Sequence, residues 1–492
     1  MSYKQGANRE QLTLTPLCLD DYIEEGSICR VIEVFVNSLE MSSLGFKYSA
    51  TKPTGRKPYN PGTMLKLYIY GYLNRVRSSR RLEAEAKRNI EVMWLLENLT
   101  PDDRTICNFR KDNAKALKKV FREFSLWCNS QGLYGKELAA VDGSKFRANT
   151  SRKNIHTQKG MEKKIVEVDK KIEKYMKELD ENDANQVDET KLSPEKIKEI
   201  LKNLNDKKTG YETWLNQIET NGGEEISTVD PDAHLMHTNG DGRSFDACYN
   251  VQTIVDEKYK LIVEFDVSTS PDDSKSLSKM TESAKEIMEV SELQVTADKG
   301  YYNGEDIEIC EKNGTTCYIP KMQSGRPAPN PNYGREYFRY DKKEDCYICP
   351  KGEKLPFMRM NKRSGGYKDI DGNDIIDRLY KNKSACRKCP NREKCTKNKT
   401  GRRIYRSPYQ DSLDTVDIRM KSDDAGQIIR ERKKIVEHPF GTIKYVWGFR
   451  QYLCRGQEMV SAEQSLAFLA FNFRRVFNIY KSNGENLASV MP

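Results

Sequence analysis

Leu138-Ala139-Ala140-Val141-Asp142-Gly143-Ser144 is the stretch on which the fold turns. Four apolar residues in a row predict a short buried strand, and the run stops on a carboxylate followed by a glycine. The same pattern recurs at Leu293-Gln294-Val295-Thr296-Ala297, which stops on Asp298-Lys299-Gly300. Between them, Tyr249 to Val255 alternates in the manner of a strand, and Leu261 to Val267 follows Asp256-Glu257-Lys258 as its hairpin partner. A helix is expected from Asp272 to Val290, a short one from Gly304 to Lys312, and a strand from Thr316 to Pro320. Strand, strand pair, helix, strand, helix, strand is an α/β order of elements.

Upstream, residues 1 to about 130 read as helical. Pro61 can open a helix, and Met64, Leu65, Tyr68, Tyr72 and Leu73 recur at helical spacing behind it. Ser78 to Arg81 reads as a turn, with a helix from there through Leu96. Thr100 is the expected cap of the next helix, whose continuation from Arg104 to Arg110 suits a DNA groove. Short helices with basic turns (Arg80, Arg81, Arg104 and Arg110 among them) are compatible with a helix-turn-helix-like DNA reader, and equally with a plain helical bundle.

Between residues 151 and 239, Met161, Ile165, Val168, Ile172, Tyr175 and Leu179 form a heptad seam. Ile197, Leu201, Leu204, Tyr211, Leu215 and Ile218 continue it, with Lys208 spoiling one position. The polar segment Asp180 to Asn185 reads as the turn of a helical hairpin inserted into the core. That hairpin is either a spacer or a partner or DNA contact. Residues 321 to 410 are basic and rich in Gly, Pro, Tyr and Cys. After Asp423 a long helix returns through Ile428, Ile435, Ile443 and Val446, and a last one runs from Ala462 to Tyr480. The expected organisation is a helical N-terminal DNA-binding domain (1–130), a catalytic core (131–150, 240–320, 411–482), an inserted helical hairpin (151–239) and a basic Cys-rich insertion (321–410).

The 492 residues carry a net charge of +10, and 26 Tyr and 16 Phe supply a real core. The positive charge is concentrated. Thr51–Arg88 holds ten Lys/Arg against two Asp/Glu, and Lys351–Arg403 holds seventeen against six. Two such stretches point to a nucleic-acid partner. No apolar run is long enough to span a membrane, and the N-terminus MSYKQGANREQ has no signal-peptide core. A cytoplasmic, nucleoid-associated location is therefore expected, with the 13 cysteines reduced. The eight scattered cysteines read as small buried hydrophobes.

Carboxylates at the ends of adjacent core strands, Asp142 and Asp298, can converge on hard divalent cations such as magnesium or manganese. Two such ions can activate a hydroxyl and stabilise a leaving oxygen in phosphodiester chemistry. A third carboxylate is needed, and Glu437 in Ile435-Val436-Glu437-His438-Pro439-Phe440-Gly441-Thr442-Ile443-Lys444 is the best candidate. Lys444 and Arg430, each seven residues from it, extend one helical stripe suited to a DNA phosphate. Pro439 implies a bend or a helix boundary nearby. Singly, each Asp reads as well as a turn or helix cap, and the Glu as an ion-pair partner.

Cys346-Tyr-Ile-Cys349 and Cys386-Arg-Lys-Cys389 are C-x2-C knuckles, and Cys395 follows. They suit a structural zinc ion bound by four of the five, with Cys389 or Cys395 as the spare; reduced free thiols are the alternative.

Val141-Asp142-Gly143-Ser144, Asp298-Lys299-Gly300-Tyr301 and Val436 to Lys444 resemble, in order, the three catalytic motifs of bacterial insertion-sequence DDE transposases. Asp230-Pro231-Asp232-Ala233, Tyr249-Asn250-Val251-Gln252-Thr253 and Pro61 to Arg110 resemble the branch with a helical N-terminal domain and a Cys-rich segment before the glutamate. The resemblance implies an RNase H-like fold, a catalytic trio of Asp142, Asp298 and Glu437, cleavage at element ends and transfer of a 3′ hydroxyl to target DNA. It also implies a homodimer on double-stranded DNA, since two ends are joined. The signature Tyr-x2-Arg-x3-Glu-x6-Lys is kept at Glu437 and Lys444, but Lys433 stands at the Arg position and Arg430 at the Tyr position. Lysine keeps the charge and loses the bidentate fork. Two other readings are a silent DNA-binding derivative of a transposase and an RNase H-like nuclease without strand transfer. Terminal inverted repeats flanking the gene discriminate, since only the transposase needs them.

Overall fold

The long antiparallel ladder of the core starts from the two apolar runs. β1 (Leu138–Arg147) pairs antiparallel with β2 (Phe245–Asp256), from Ala139 opposite Asp256 to Arg147 opposite Cys248. β2 pairs with β3 (Ile262–Ser268) and with the short strand His234–His237. On its other edge β1 runs parallel to β4 (Leu293–Thr296), which runs parallel to β5 (Thr315–Tyr318). The computed structural model describes residues 18–50, 57–184, 193–220, 225–238, 244–322, 329–363 and 368–491. The first eleven residues, positions 51–56 and 364–367 of the basic stretches, and Asn185 of the expected turn lie outside the described residues.

One expectation is corrected at once. Asp142 does not end its strand, because the ladder to β2 carries β1 on through Arg147 after β4 has left it.

Helices cover the sheet. Leu277–Met288 packs on it, as does the helix Asp423–Gly441 that carries Glu437. The last helix, Gln457–Ser482, packs against Pro61–Leu73 and Ala114–Ser130. Phe35, Phe124 and Phe473 meet there, with the Phe124 and Phe473 rings stacked at 5.1 Å. The N-terminal helices therefore share one continuous apolar core with the sheet. The Asp230 and Asp232 motif belongs to this packing: Asp230 accepts from Tyr249 Oη at 2.7 Å and Gly456 N at 2.9 Å, and Asp232 accepts from Gln457 N at 2.7 Å. These bonds tether the N-terminus of the last helix, where backbone donors are otherwise unpaired.

Local chemistry moves several boundaries. Ser79–Arg88 is helical rather than a turn at Ser78–Arg81, and the reversal falls earlier, where Arg75 takes φ 63°. The helix expected through Leu96 is two helices, the second (Ile90–Leu95) capped by Asn89. Asp102, not Thr100, caps Asp103–Asp112, its carboxylate accepting from Thr105 N at 2.7 Å. The hairpin helices are Gln158–Ala184 and Pro194–Thr220, so Asp180 to Ala184 is helix, not turn. Lys208 does not spoil the hairpin, because it pairs with Asp169 across it at 2.7 Å. Val446 is exposed, since a π-helical turn at Thr442–Val446 breaks the helical phase.

The Cys-rich segment forms its own antiparallel sheet: Arg339–Asp341, Cys346–Ile348, Lys354–Lys362, Ile376–Tyr380 and Ile404–Arg406 in that order. Phe338, Tyr347, Leu355, Tyr380 and Ile404 fill its small core. Of the scattered cysteines, Cys18 and Cys107 are exposed and the other six are buried. Among the described residues no helix is long and apolar enough to cross a membrane.

Candidate active site

β1 and β4 stay in register only to Ala140 and Thr296 and then part. Asp142 and Asp298 each lie two residues farther, and alternate residues of an extended chain share a face. The divergence thus leaves both carboxylates past the last pairing, close enough that Asp298 acts on the Asp142 charge. Asp298 remains extended (φ −80°, ψ 174°) and caps the turn Lys299–Tyr301, its Oδ1 accepting from Gly300 N at 2.7 Å. It acts as a cap and still flanks Asp142.

Burial, before any other cause, pushes the Asp142 carboxyl up to about 6; Asp298 and Asp273 push in the same direction, while Arg432 and the Gly143 N–H pull it down. Arg432 stands across from it, Nη1 to Asp142 Oδ1 3.6 Å. That Nη1 is buried and has no hydrogen-bond partner among the described residues. A buried N–H without a hydrogen bond is costly, and the 3.6 Å ion pair with Asp142 offsets only part of that cost.

The helix places the other expected residues unequally. Lys444 Nζ donates to Ser144 Oγ and to Lys145 O (2.7 Å), and lies 4.2 Å from the Phe146 ring centre. Burial holds its ammonium down at about 8, against the opposing pull of Cys248 and Asp142. Lys444 therefore touches β1 beside Asp142. Glu437, Lys433 and Arg430 are exposed. Glu437 and Lys444 do not continue along one regular stripe, since Lys444 lies in the π-helical turn. Pro439 is buried inside the helix, and Glu437 sits at neither end of it. Among the described residues no three His, Cys, Asp or Glu side chains close to metal-binding distance. The aspartates are gathered; Glu437 stands apart from them.

Arg432 was not among the expected residues, yet a signal for it exists. It lies three and four residues before Ile435 and Val436, both buried, and so shares their face.

In the N-terminal region Arg80, Arg81 and Arg104 are exposed, Arg80 pairing with Asp103 at 3.3 Å. Arg110 is a correction: it is buried, its Nη1 donating to Tyr72 Oη at 3.3 Å, with its guanidinium by the Tyr68 ring. Enclosed by aromatic rings, it cannot reach a DNA groove.

In the second sheet Cys349, Cys386, Cys389 and Cys395 line a common cavity of ≈ 40 Å³. Lys351 N donates to Cys349 Sγ at 3.4 Å, and Gly352 takes φ 85° to complete that tight turn. Cys346 is buried elsewhere, its Sγ 3.9 Å from Glu344 Oε2.

Residues 17–112 match the family described as Transposase domain (DUF772), and residues 348–477 match the family described as Transposase DDE domain. No curated protein sequence matches the chain. Among solved structures, a cryo-EM structure of the piggyBac transposase synaptic complex with hairpin DNA aligns at 9% identity, over 95% of this chain and 79% of that one. Its TM-score of 0.34 is too low to bear on the fold.

Proposed function

From the premise that this chain belongs to the DDE transposases, we propose that it cuts DNA at the ends of its element and transfers the freed strand to target DNA. The observation that carries the reading is the pair Asp142 and Asp298, aligned by register at the divergence of β1 and β4. The core order β3-β2-β1-β4-β5, antiparallel and then parallel, supports the RNase H-like fold that the resemblance implies.

Asp142 and Asp298 offer the hard oxygen donors that magnesium or manganese takes, and Arg432, ion-paired with Asp142 but with no hydrogen bond to its Nη1 among the described residues, suits a phosphate oxygen. Glu437, exposed on the helix that packs against β1, is the third carboxylate in this reading. A bound divalent ion supplies Lewis-acid activation of a hydroxyl and stabilisation of a leaving oxygen, in the two-metal manner. In strand transfer the 3′ hydroxyl gives up its proton, its oxygen forms the new P–O bond, and the 3′ oxygen of the target strand leaves. Lys444, pinned to β1, and Arg432 hold the phosphate in place. Arg430 and Lys433 are exposed on the same helix, and Arg80, Arg81 and Arg104 on the N-terminal helices; these carry the DNA flanks.

The second sheet carries a structural zinc in this reading, held by Cys349, Cys386, Cys389 and Cys395. Four soft thiols line one cavity without closing to ligand spacing, and the N–H to sulfur bond at Cys349 suits a thiolate, which supports that ion. Cys346 is then the spare, in place of Cys389 or Cys395. The working unit is a homodimer on double-stranded DNA at the nucleoid, because two ends must be joined.

The test is a strand-transfer assay with the flanking terminal repeats and magnesium or manganese. Joined product with the wild type is expected. Hydrolysis without joining turns the reading to a nuclease, and end binding without cleavage turns it to a silent DNA-binding protein.

A further inference from the structure

Asp273 lies between β3 and the helix Leu277–Met288, three residues before the N-cap Ser276. It does not cap. Asp306 takes that task, accepting from Leu277 N at 2.8 Å and Ser278 N at 3.0 Å. Asp273 instead turns to the strands behind the aspartate pair. Its Oδ1 accepts from Lys145 Nζ at 3.2 Å, Asn250 Nδ2 at 2.5 Å and Gln252 Nε2 at 2.6 Å. Gln252 in turn accepts from Tyr301 Oη, in the turn that Asp298 caps.

Its two oxygens reach the glycines that follow Asp142 and precede Tyr301. A Cβ on Gly143 would stand 2.7 Å from Oδ1, and one on Gly300 would stand 3.9 Å from Oδ2. One carboxylate therefore spans the gap between the Asp142 strand and the Asp298 turn. Among the described residues no hydrogen bond engages Oδ2, and the side chain is only 26% exposed.

We propose that Asp273 is a positioning residue for the aspartate pair: Oδ1 gathers β1, β2 and, through Gln252, the Asp298 turn, and Oδ2 lies on the side of Gly300, two residues from Asp298. This rests on the reading of Asp142 and Asp298 as metal ligands. Residues that orient metal ligands typically change metal affinity about 10- to 100-fold when altered. Asp273→Asn keeps an oxygen for the three donors and removes only the charge; Asp273→Ala removes both.

The experiment titrates Mn2+ into the full-length protein without DNA, reads free Mn2+ by electron paramagnetic resonance, and records a thermal melt of each variant. Asp273→Asn is expected to melt with the wild type and to bind Mn2+ about 10-fold more weakly, with Asp273→Ala weaker still. Wild-type affinity in Asp273→Asn, alongside weakened binding in Asp142→Ala, overturns the inference alone. A binding loss that comes only with a lowered melting temperature makes Asp273 purely structural and also overturns it. No Mn2+ binding by the wild type, or undiminished binding by Asp142→Ala, overturns the metal-site reading itself.

Discussion

Asp142 on β1 and Asp298 after β4 each lie two residues past the last pairing of the parallel strands, Ala140 with Thr296. Their closeness is a property of the sheet and owes nothing to their 156-residue separation in the chain. Because one strand continues and the other turns away, the two carboxylates lie where the strands diverge, with Arg432 across from Asp142 at 3.6 Å.

If both hold the ions, Asp142→Ala, Asp298→Ala and Glu437→Ala each abolish cleavage of terminal-repeat DNA. A loss of at least about 1,000-fold is expected, equivalent to roughly 4 kcal/mol of transition-state stabilisation. Gel-shift affinity for the ends should stay near wild type. Full cleavage by any one variant removes that residue from the site.

The raised Asp142 carboxyl has a stability consequence. In the folded protein it keeps its proton up to about pH 6, whereas unfolded it releases it near the ordinary carboxyl value of 3.8. Between those values the native state binds more protons, so stability falls as pH rises through that window. The penalty is complete above about pH 6. Metal-free Asp142→Asn should therefore exceed the wild type by at most about 3 kcal/mol at neutral pH, and the gap should vanish near pH 4. Urea melts across pH check this. Added Mn2+ should narrow the gap at neutral pH, because only the wild type gains a ligand.

Arg432 and Lys433 are adjacent, yet only Arg432 faces Asp142. Arg432→Ala removes a charge that pulls the Asp142 carboxyl down, so the acid limb of Mn2+ binding should move to higher pH. Cleavage should fall by about 100-fold, in line with loss of a positioned donor to a developing charge. Lys433→Ala should leave the pH profile in place and weaken only DNA binding, more so at low salt. Equal effects of the two would reassign Arg432 to the surface set.

For the second sheet, zinc quantification on full-length protein separates the cysteines. Cys349→Ser, Cys386→Ser, Cys389→Ser and Cys395→Ser should each lose the metal, whereas Cys346→Ser should retain it. A zinc-free wild type, purified without chelators, would sink this assignment.

Much of this was legible in the chain. Apolar runs that stop on an aspartate are a local signal, and β1, β4 and both carboxylates follow from it. So does the helix of Glu437, through its buried Ile435, Val436 and Ile443. What local pattern missed has a common cause. Arg110 reads as a surface cation until the Tyr68 and Tyr72 rings enclose it. Asp273 carries no local signal at all, because the strands it gathers, through Lys145, Asn250 and Gln252, lie elsewhere in the chain. Cys346 reads as half of a knuckle until its strand turns its thiol away from the other four.

The aspartate pair is where the two levels divide. By itself the sequence determined that two buried strands exist and that each meets a carboxylate, because strand formation depends on neighbours a few residues apart. Only the tertiary structure decided that Asp142 lies within its strand, that Asp298 comes near it where β1 and β4 part, and that Arg432 and Asp273 stand around it. Those relations depend on pairing register and on which helix face is buried, and both are set by side chains far apart in the chain.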